Sequence, residues 1–197
     1  MPEAPAFERD TRNWLERAVI GLNLCPFARS VQVRGQVHYA VSAATDESAL
    51  LDRLAVELKE LAALPSDVRE TTLLIAPHCL NDFLAFNDFL ARADDVLVEL
   101  GLEGEIQIAS FHPRYQFAGT AADDISNYTN RSPYPTLHLL REASIDRAVQ
   151  AFPEAEDIFG RNIETMQALG LAGWAALNVG PSAEPDGDGA DCGKLKT

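Results

Sequence analysis

Apolar positions recur along this chain with two periods, and the switches between them divide it into helices and strands. Trp14, Leu15, Ala18, Val19 and Leu22 follow at helical spacing behind Asp10 or Thr11, either of which is placed to cap a first helix. Pro26 interrupts that helix, because its ring disfavours helical geometry at Cys25. Gln36 to Ser42 reads as a short strand. Thr45 or Asp46 then caps a helix with Leu50, Leu51, Leu54, Leu58 and Leu61 on one face, ended near Leu64 by Pro65. Thr71 to Ala76 is an apolar run suited to a buried strand. Asn81 or Asp82 opens the next helix, with Phe83, Phe86, Leu90 and Leu97 inward and Gly101 as its stop. Glu105 to Ser110 and Thr136 to Leu140 read as two further strands, and helices are expected at Ser144–Phe152 and Asn162–Leu169.

Strand, helix, strand, helix, strand implies parallel pairing through right-handed crossovers. The expectation is a single α/β domain over residues 10–180, with a mixed, mostly parallel four-stranded sheet flanked by helices. The element order is similar to a thioredoxin-like sheet, with Pro135 in the place of its cis-proline. The run Cys25-Pro26-Phe27-Ala28 lacks the second cysteine of a CxxC motif, however, and precedes the first strand. Residues 1–9 are expected to be flexible, and residues 181–197 form a Gly-, Asp- and Pro-rich acidic tail without apolar content for a core, expected to be disordered and to include Cys192.

The connector at 110–135 is too long for a plain turn, and ordered loops lose entropy without filling a core. Together with the strand that follows, it carries His112, His138, Tyr115, Tyr128, Tyr134, Arg114, Arg131 and Arg141. It is therefore read as a functional loop. The alternative is an Ω-like loop packed on its own aromatic residues, with its arginines in structural pairs.

Charge narrows the chemistry. A formal net charge of −14 argues against a nucleic-acid partner, which needs a basic face. Of 16 basic residues only Lys59, Lys194 and Lys196 are lysines, so Schiff-base chemistry and a P-loop lysine are disfavoured. No stretch approaches the roughly 18 apolar residues of a membrane span, and no signal pattern opens the chain. Three scattered cysteines do not make a disulfide framework, which fits the cytoplasm. No GxSxG, P-loop or Rossmann glycine pattern identifies a cofactor.

In open parallel sheets, ligands sit outside the carboxyl ends of the strands. Those ends are Ser42, then Pro77-His78-Cys79, then Phe111-His112-Pro113-Arg114. His112 is the acid/base candidate, with Asp124 or Asn127 to orient it. Arg114, Arg131 and Arg141 are candidates for a carboxylate or phosphate fork, with Tyr134, His138 and His78 nearby. His138 lies between Leu137 and Leu139, and alternation aims it away from them, either into the site or onto an exposed sheet face. Cys25 is a nucleophile candidate if Pro26 opens a short helix that it caps. His78, Cys79, His112, His138 and Asp124 show no zinc-ligand spacing, so no metal site is assigned.

Leu-Asn-Leu-Cys-Pro-Phe-Ala at 22–28, Phe-His-Pro-Arg-Tyr-Gln-Phe at 111–117 and Asn-Arg-Ser-Pro-Tyr-Pro at 130–135 resemble an uncharacterised bacterial family, domain of unknown function 1415. The resemblance runs from Trp14 to Gly170 and implies no activity. The residues themselves point to a small cytoplasmic enzyme acting on an anionic small molecule. A non-catalytic ligand-binding or interaction protein using the same arginine-lined pocket, and a thiol enzyme centred on Cys25, are the alternatives.

Overall fold

The computed structural model describes residues 4–151 and 157–182. Helix α1 spans Ala4–Trp14 and continues as a π-helical segment over Leu15–Ile20. A short helix α2 (Ala28–Val33) leads to β1 (Val37–Val41), α3 (Glu47–Ala63), β2 (Thr71–Ile75), α4 (Phe83–Glu99) and β3 (Ile106–Phe111). The long connector contains one 3₁₀ segment, Ile125–Asn130, before β4 (Thr136–Arg141), α5 (Glu142–Ala151) and α6 (Ile158–Ala176).

Two of the expected helix caps hold, those of Asp46 and Asp82. The Asp46 carboxylate accepts from Ala49 N–H, and that of Asp82 accepts from Leu84 and Ala85 N–H, which gives two helix starts their missing acceptors. Gly101 takes φ 68° just past α4, where a side chain would be strained. The first helix begins before Asp10, unlike the expected flexible start, because Phe7 has a place to go. It is 1% exposed and packs edge-on against Tyr134 and His78 at 4.9 and 5.2 Å.

The sheet is mixed and four-stranded in the order β1-β2-β4-β3. Strands β1 and β2 pair in parallel, and β4 runs antiparallel to both β2 and β3. The three strands joined by helical crossovers therefore point the same way, with β4 inserted between two of them. No cis peptide bond occurs among the described residues, so Pro135 is not a cis-proline.

Alternation sets the two faces. Leu74, Ile106, Leu137 and Leu139 lie under α3 and α4, where Leu50, Leu54, Leu58, Phe86 and Phe89 are buried. Each fully buried side chain of this kind contributes about 2 kcal/mol of transfer free energy. On the opposite face, Trp14, Leu15, Ala18 and Val19 cover Leu73 and reach Val37 and Tyr39. Beyond β2 that covering thins, with Trp14 reaching Phe111 of β3 at 5.1 Å. Gln107, Ala109 and Phe111 of β3, with His138 and Leu140 of β4, stay at least partly exposed on this face.

Buried polar groups tie the elements together. Glu57 (1% exposed) accepts from Arg69 and Arg53, joining α3 to the segment before β2. The Asp10 carboxylate accepts from the Tyr134 hydroxyl at 2.7 Å, and from the Ser182 amide and hydroxyl at 2.8 and 2.6 Å. One side chain thus joins α1, the start of β4 and the segment after α6. The rest of the expected tail, with Cys192, lies outside the described residues.

Replacing Asp10 with Ala takes the acceptor from the buried Tyr134 hydroxyl, which costs about 1–3 kcal/mol, and removes two charge-assisted bonds to the exposed Ser182. Urea unfolding of Asp10→Ala is expected to show a loss of about 2 kcal/mol or more, and Asp10→Asn a smaller one.

Candidate functional site

Because β1, β2 and β3 point the same way, Ser42, His78 and His112 follow strands that end at one edge of the sheet. The groups there are engaged with one another. His112 is fully buried between Phe83 and Phe86, with ring centroids 5.4 and 5.1 Å away. Its Nδ1 accepts from the Arg114 amide at 3.0 Å, so its Nε2–H donates to the Leu80 carbonyl at 3.1 Å. Leu80 itself sits at φ 59°, a left-handed conformation unusual for leucine. Burial, foremost, pushes the His112 pKa down to about 4. The ring is a neutral clamp between two loops, with neither nitrogen left for a substrate.

The other loop candidates are held in the same way. The Arg114 guanidinium donates to the Asn81 carbonyl and lies 3.6 Å from the Asp82 carboxylate. Arg131 donates to the carbonyls of Tyr115 and Ala122 and stacks 4.1 Å over the Tyr128 ring. Asn127 is fully buried, accepting from the Phe117 amide and the Thr120 hydroxyl and donating to the Ala121 carbonyl. Asp124 caps the 3₁₀ segment through the Ser126 amide, a bond that lowers its pKa. Tyr134 is committed to Asp10, and His78 packs against Phe7. The outer side of this loop rests on α6, with Tyr128 against Trp174 and Phe117 against Phe159.

Arg141 leaves this group altogether. It sits at the far end of β4, where one guanidinium nitrogen donates to the carbonyls of Leu61, Leu64 and Arg69 and closes the C-terminus of α3. Its Nε is buried without a hydrogen-bond partner among the described residues. Arg114, Arg131 and Arg141 therefore do not form one fork, since a six-residue strand separates Arg141 from the other two by roughly 17 Å.

The uncovered half of the second sheet face forms the floor of a cavity of about 830 Å³ that opens to solvent. Leu73, Ala109, Phe111, His138 and Leu140 make the floor, and Trp14, Leu15 and Val19 make one wall. Cys25, Phe27 and Val31 continue that wall. Ile145 and Ala148 of α5 lean over the opening, beside a polar rim that includes Arg34, Asp67, Glu70 and Arg147. The lining is mainly apolar. Of the sequence candidates, Cys25, His138 and Arg141 belong to it, while His112 and the loop residues do not.

His138 lies in the floor beside Thr71 and Gln107, which are polar groups of the same sheet face. The Thr71 hydroxyl lies 2.6 Å from the Leu139 carbonyl and 2.8 Å from His138 Nε2. An O···O contact that short between hydroxyl and carbonyl places the hydroxyl proton on the line between them. The Thr71 oxygen must then accept from Nε2–H, which leaves an unprotonated Nδ1 with no hydrogen-bond partner among the described residues. Desolvation by the surrounding apolar groups pushes the His138 pKa down to about 4. The Cys25 thiol is pushed up by burial, against the opposing pull of the Phe27 and Ala28 amides.

Trp14, Thr71, Gln107, Ala109 and Phe111 are site residues that the sequence did not single out. A faint signal existed: β3 alternates Ile106 and Ile108 with Gln107 and Ala109, which marks a sheet face too polar for a core. Among the described residues, no cluster of three or more His, Cys, Asp or Glu side chains could hold a metal ion. None of the described helices is long and apolar enough to cross a membrane.

Fold and cavity together define a mixed α/β protein with one sheet face half covered and a cavity over the remainder. The chain belongs to the family described as protein of unknown function (DUF1415), whose model matches residues 6–176. No curated protein and no solved structure matches it.

Both histidines make stability sensitive to acid. Each has a pKa lowered from 6.5 to about 4, so the unfolded chain binds more protons between those values. Their contribution to stability is complete above pH 6.5 and is lost as pH falls toward 4. Unfolding free energy measured across this window is expected to fall with acidification, and His138→Gln should remove up to one proton from the slope.

Proposed function

We propose that this protein binds a compact, mainly apolar small molecule in the cavity over β3 and β4, with His138 as its internal hydrogen-bonding group. The observation that carries this reading is the Nδ1 of His138, without a hydrogen-bond partner among the described residues, on a ring set in the floor of a mainly apolar cavity of about 830 Å³. That volume falls within the range of about 300–1,000 Å³ usual for small-molecule sites, which pair apolar walls with few polar groups. Arg34 and Arg147 share the rim with Asp67 and Glu70, Arg147 lying 3.9 Å from Glu70. These guanidinium groups are where an anionic substituent on the ligand would be met, so the anionic class expected from the sequence moves from the loop to this mouth. The thiols of Cys25 and Cys79, in no disulfide among the described residues, support a reducing compartment such as the cytoplasm.

Binding is favoured over acid–base catalysis by the low basicity of His138. An imidazole with a pKa near 4 is a poor general base at neutral pH, where an efficient one titrates close to the working pH. A second reading, a thiol enzyme, has one observation in its favour: Cys25 lines the same cavity as His138. Burial raises its pKa, so thiol chemistry there would need a ligand that draws the proton away.

Ala109 pairs with His138 across β3 and β4 and lines the cavity, so Ala109→Trp fills the site from its floor without entering the core under α3 and α4. Anilinonaphthalene sulfonate, an apolar fluorescent anion, is expected to bind the wild-type protein with one-to-one stoichiometry. Ala109→Trp should weaken that binding about tenfold or more with the melting temperature kept within a few degrees, because the ring occupies space that packing cannot yield. Unchanged probe binding in a folded Ala109→Trp protein would contradict the proposal.

A further inference from the structure

The hydrogen bonding around His138 specifies the kind of group a ligand must present. We infer that the cavity takes an aromatic ligand bearing a hydroxyl group, a phenol, whose O–H donates to His138 Nδ1. This inference rests on the cavity reading above and names its ligand class.

Three observations carry it. First, the Thr71 hydroxyl spends its proton on the Leu139 carbonyl at 2.6 Å, so His138 Nε2 donates to Thr71 at 2.8 Å. The ring is locked in one neutral tautomer, and Nδ1 offers a lone pair only. A carboxylate or phosphate reaching the floor would set its own lone pairs against that one. An anionic substituent therefore belongs at the rim with Arg34 and Arg147, and the group at the floor must carry a proton.

Second, the groups around Nδ1 leave the donor to come from the ligand. Leu73, Ala109, Phe111 and Leu140 flank His138 in the floor without polar side chains, Thr71 is bonded at Nε2, and among the described residues no hydrogen bond joins the Gln107 amide to Nδ1. A ligand that fills the cavity displaces water from Nδ1, and only one with its own O–H or N–H restores the bond.

Third, the wall is aromatic. Trp14 and Phe111 meet at 5.1 Å and 67°, and Phe111 lies 6.1 Å from the His138 ring. A flat ring laid against this aromatic wall gains offset and edge contacts that an aliphatic alcohol lacks. A phenol combines that ring with a strong single donor.

The test compares β-naphthol with its methyl ether, which has the same rings and no donor. Titration calorimetry at neutral pH is expected to show naphthol binding the wild-type protein about tenfold more tightly than the ether, because a site built to pair a hydroxyl discriminates against an analogue that leaves it unpaired. In His138→Leu the two should bind within about twofold of each other, since no acceptor remains to separate them. Thr71→Val gives an independent check: it removes the hydroxyl that fixes the tautomer, so the preference should shrink even if His138→Leu fails to fold.

Equal affinities in the wild-type protein would overturn the phenol inference and leave the cavity reading standing. Binding of neither compound would overturn both. A naphthol preference retained in His138→Leu would place the hydroxyl elsewhere and overturn the role given to Nδ1.

Discussion

The antiparallel insertion of β4 between β2 and β3 is the constraint on which the rest of this structure depends. Two parallel strands joined by a helical crossover would ordinarily lie side by side, and here β4 separates them. Its register fixes which side chains meet α3 and α4. With Leu137 and Leu139 turned toward those helices, His138 and Leu140 must face the other way, because successive side chains alternate across a sheet. On β3 the same alternation turns Gln107 and Ala109 toward His138 and Leu140. The first helix covers the β1–β2 half of that face and touches β3 at Phe111, so the cavity is what the remainder leaves open. A one-residue slip of β4 would bury His138 under α3 and α4 and expose Leu137 and Leu139.

The carboxyl edge of the sheet is built for rigidity. His112 joins the Leu80 carbonyl to the Arg114 amide, while Arg114 reaches Asn81 and Asp82. Asn127 and Arg131 tie the long connector to its own backbone, and α6 supports its outer side. These groups spend their hydrogen bonds on main-chain atoms that a loop of this length would otherwise leave unpaired. The same density of polar and aromatic residues that marks a site in sequence also serves to order a long loop. The difference lies in whether any group retains a free lone pair or proton, and His138 does.

Much of the fold was legible because its signals are local. Asp46 and Asp82 cap helices through amides two or three residues away, and the leucines of α3 recur on one face of a single helix. The four strands and their mixed sheet follow from apolar runs and turn residues in the same way. The position of β4 was not legible, since it depends on pairing Thr71 with Leu140, residues far apart in sequence. The functional candidates divide along the same line. Sequence alternation offered two destinations for His138, and only the packing of α3 and α4 sets the face on which it lies. His112 is committed to a carbonyl 32 residues away, and Arg141 to one 80 residues away. Phe7 lay in a stretch too short and Pro-rich to suggest a helix, and its burial against Tyr134 draws that stretch into the fold.

The central claim is that the ligand site lies on the open sheet face at His138 and not at the carboxyl edge at His112. The most direct measurement is nitrogen-15 NMR of the histidine side chains during titration with anilinonaphthalene sulfonate. The account predicts that His138 begins as the Nε2–H tautomer and that its ring nitrogens shift as the cavity fills, while the His112 signals stay fixed. Shifts at His112 with His138 unmoved would contradict it.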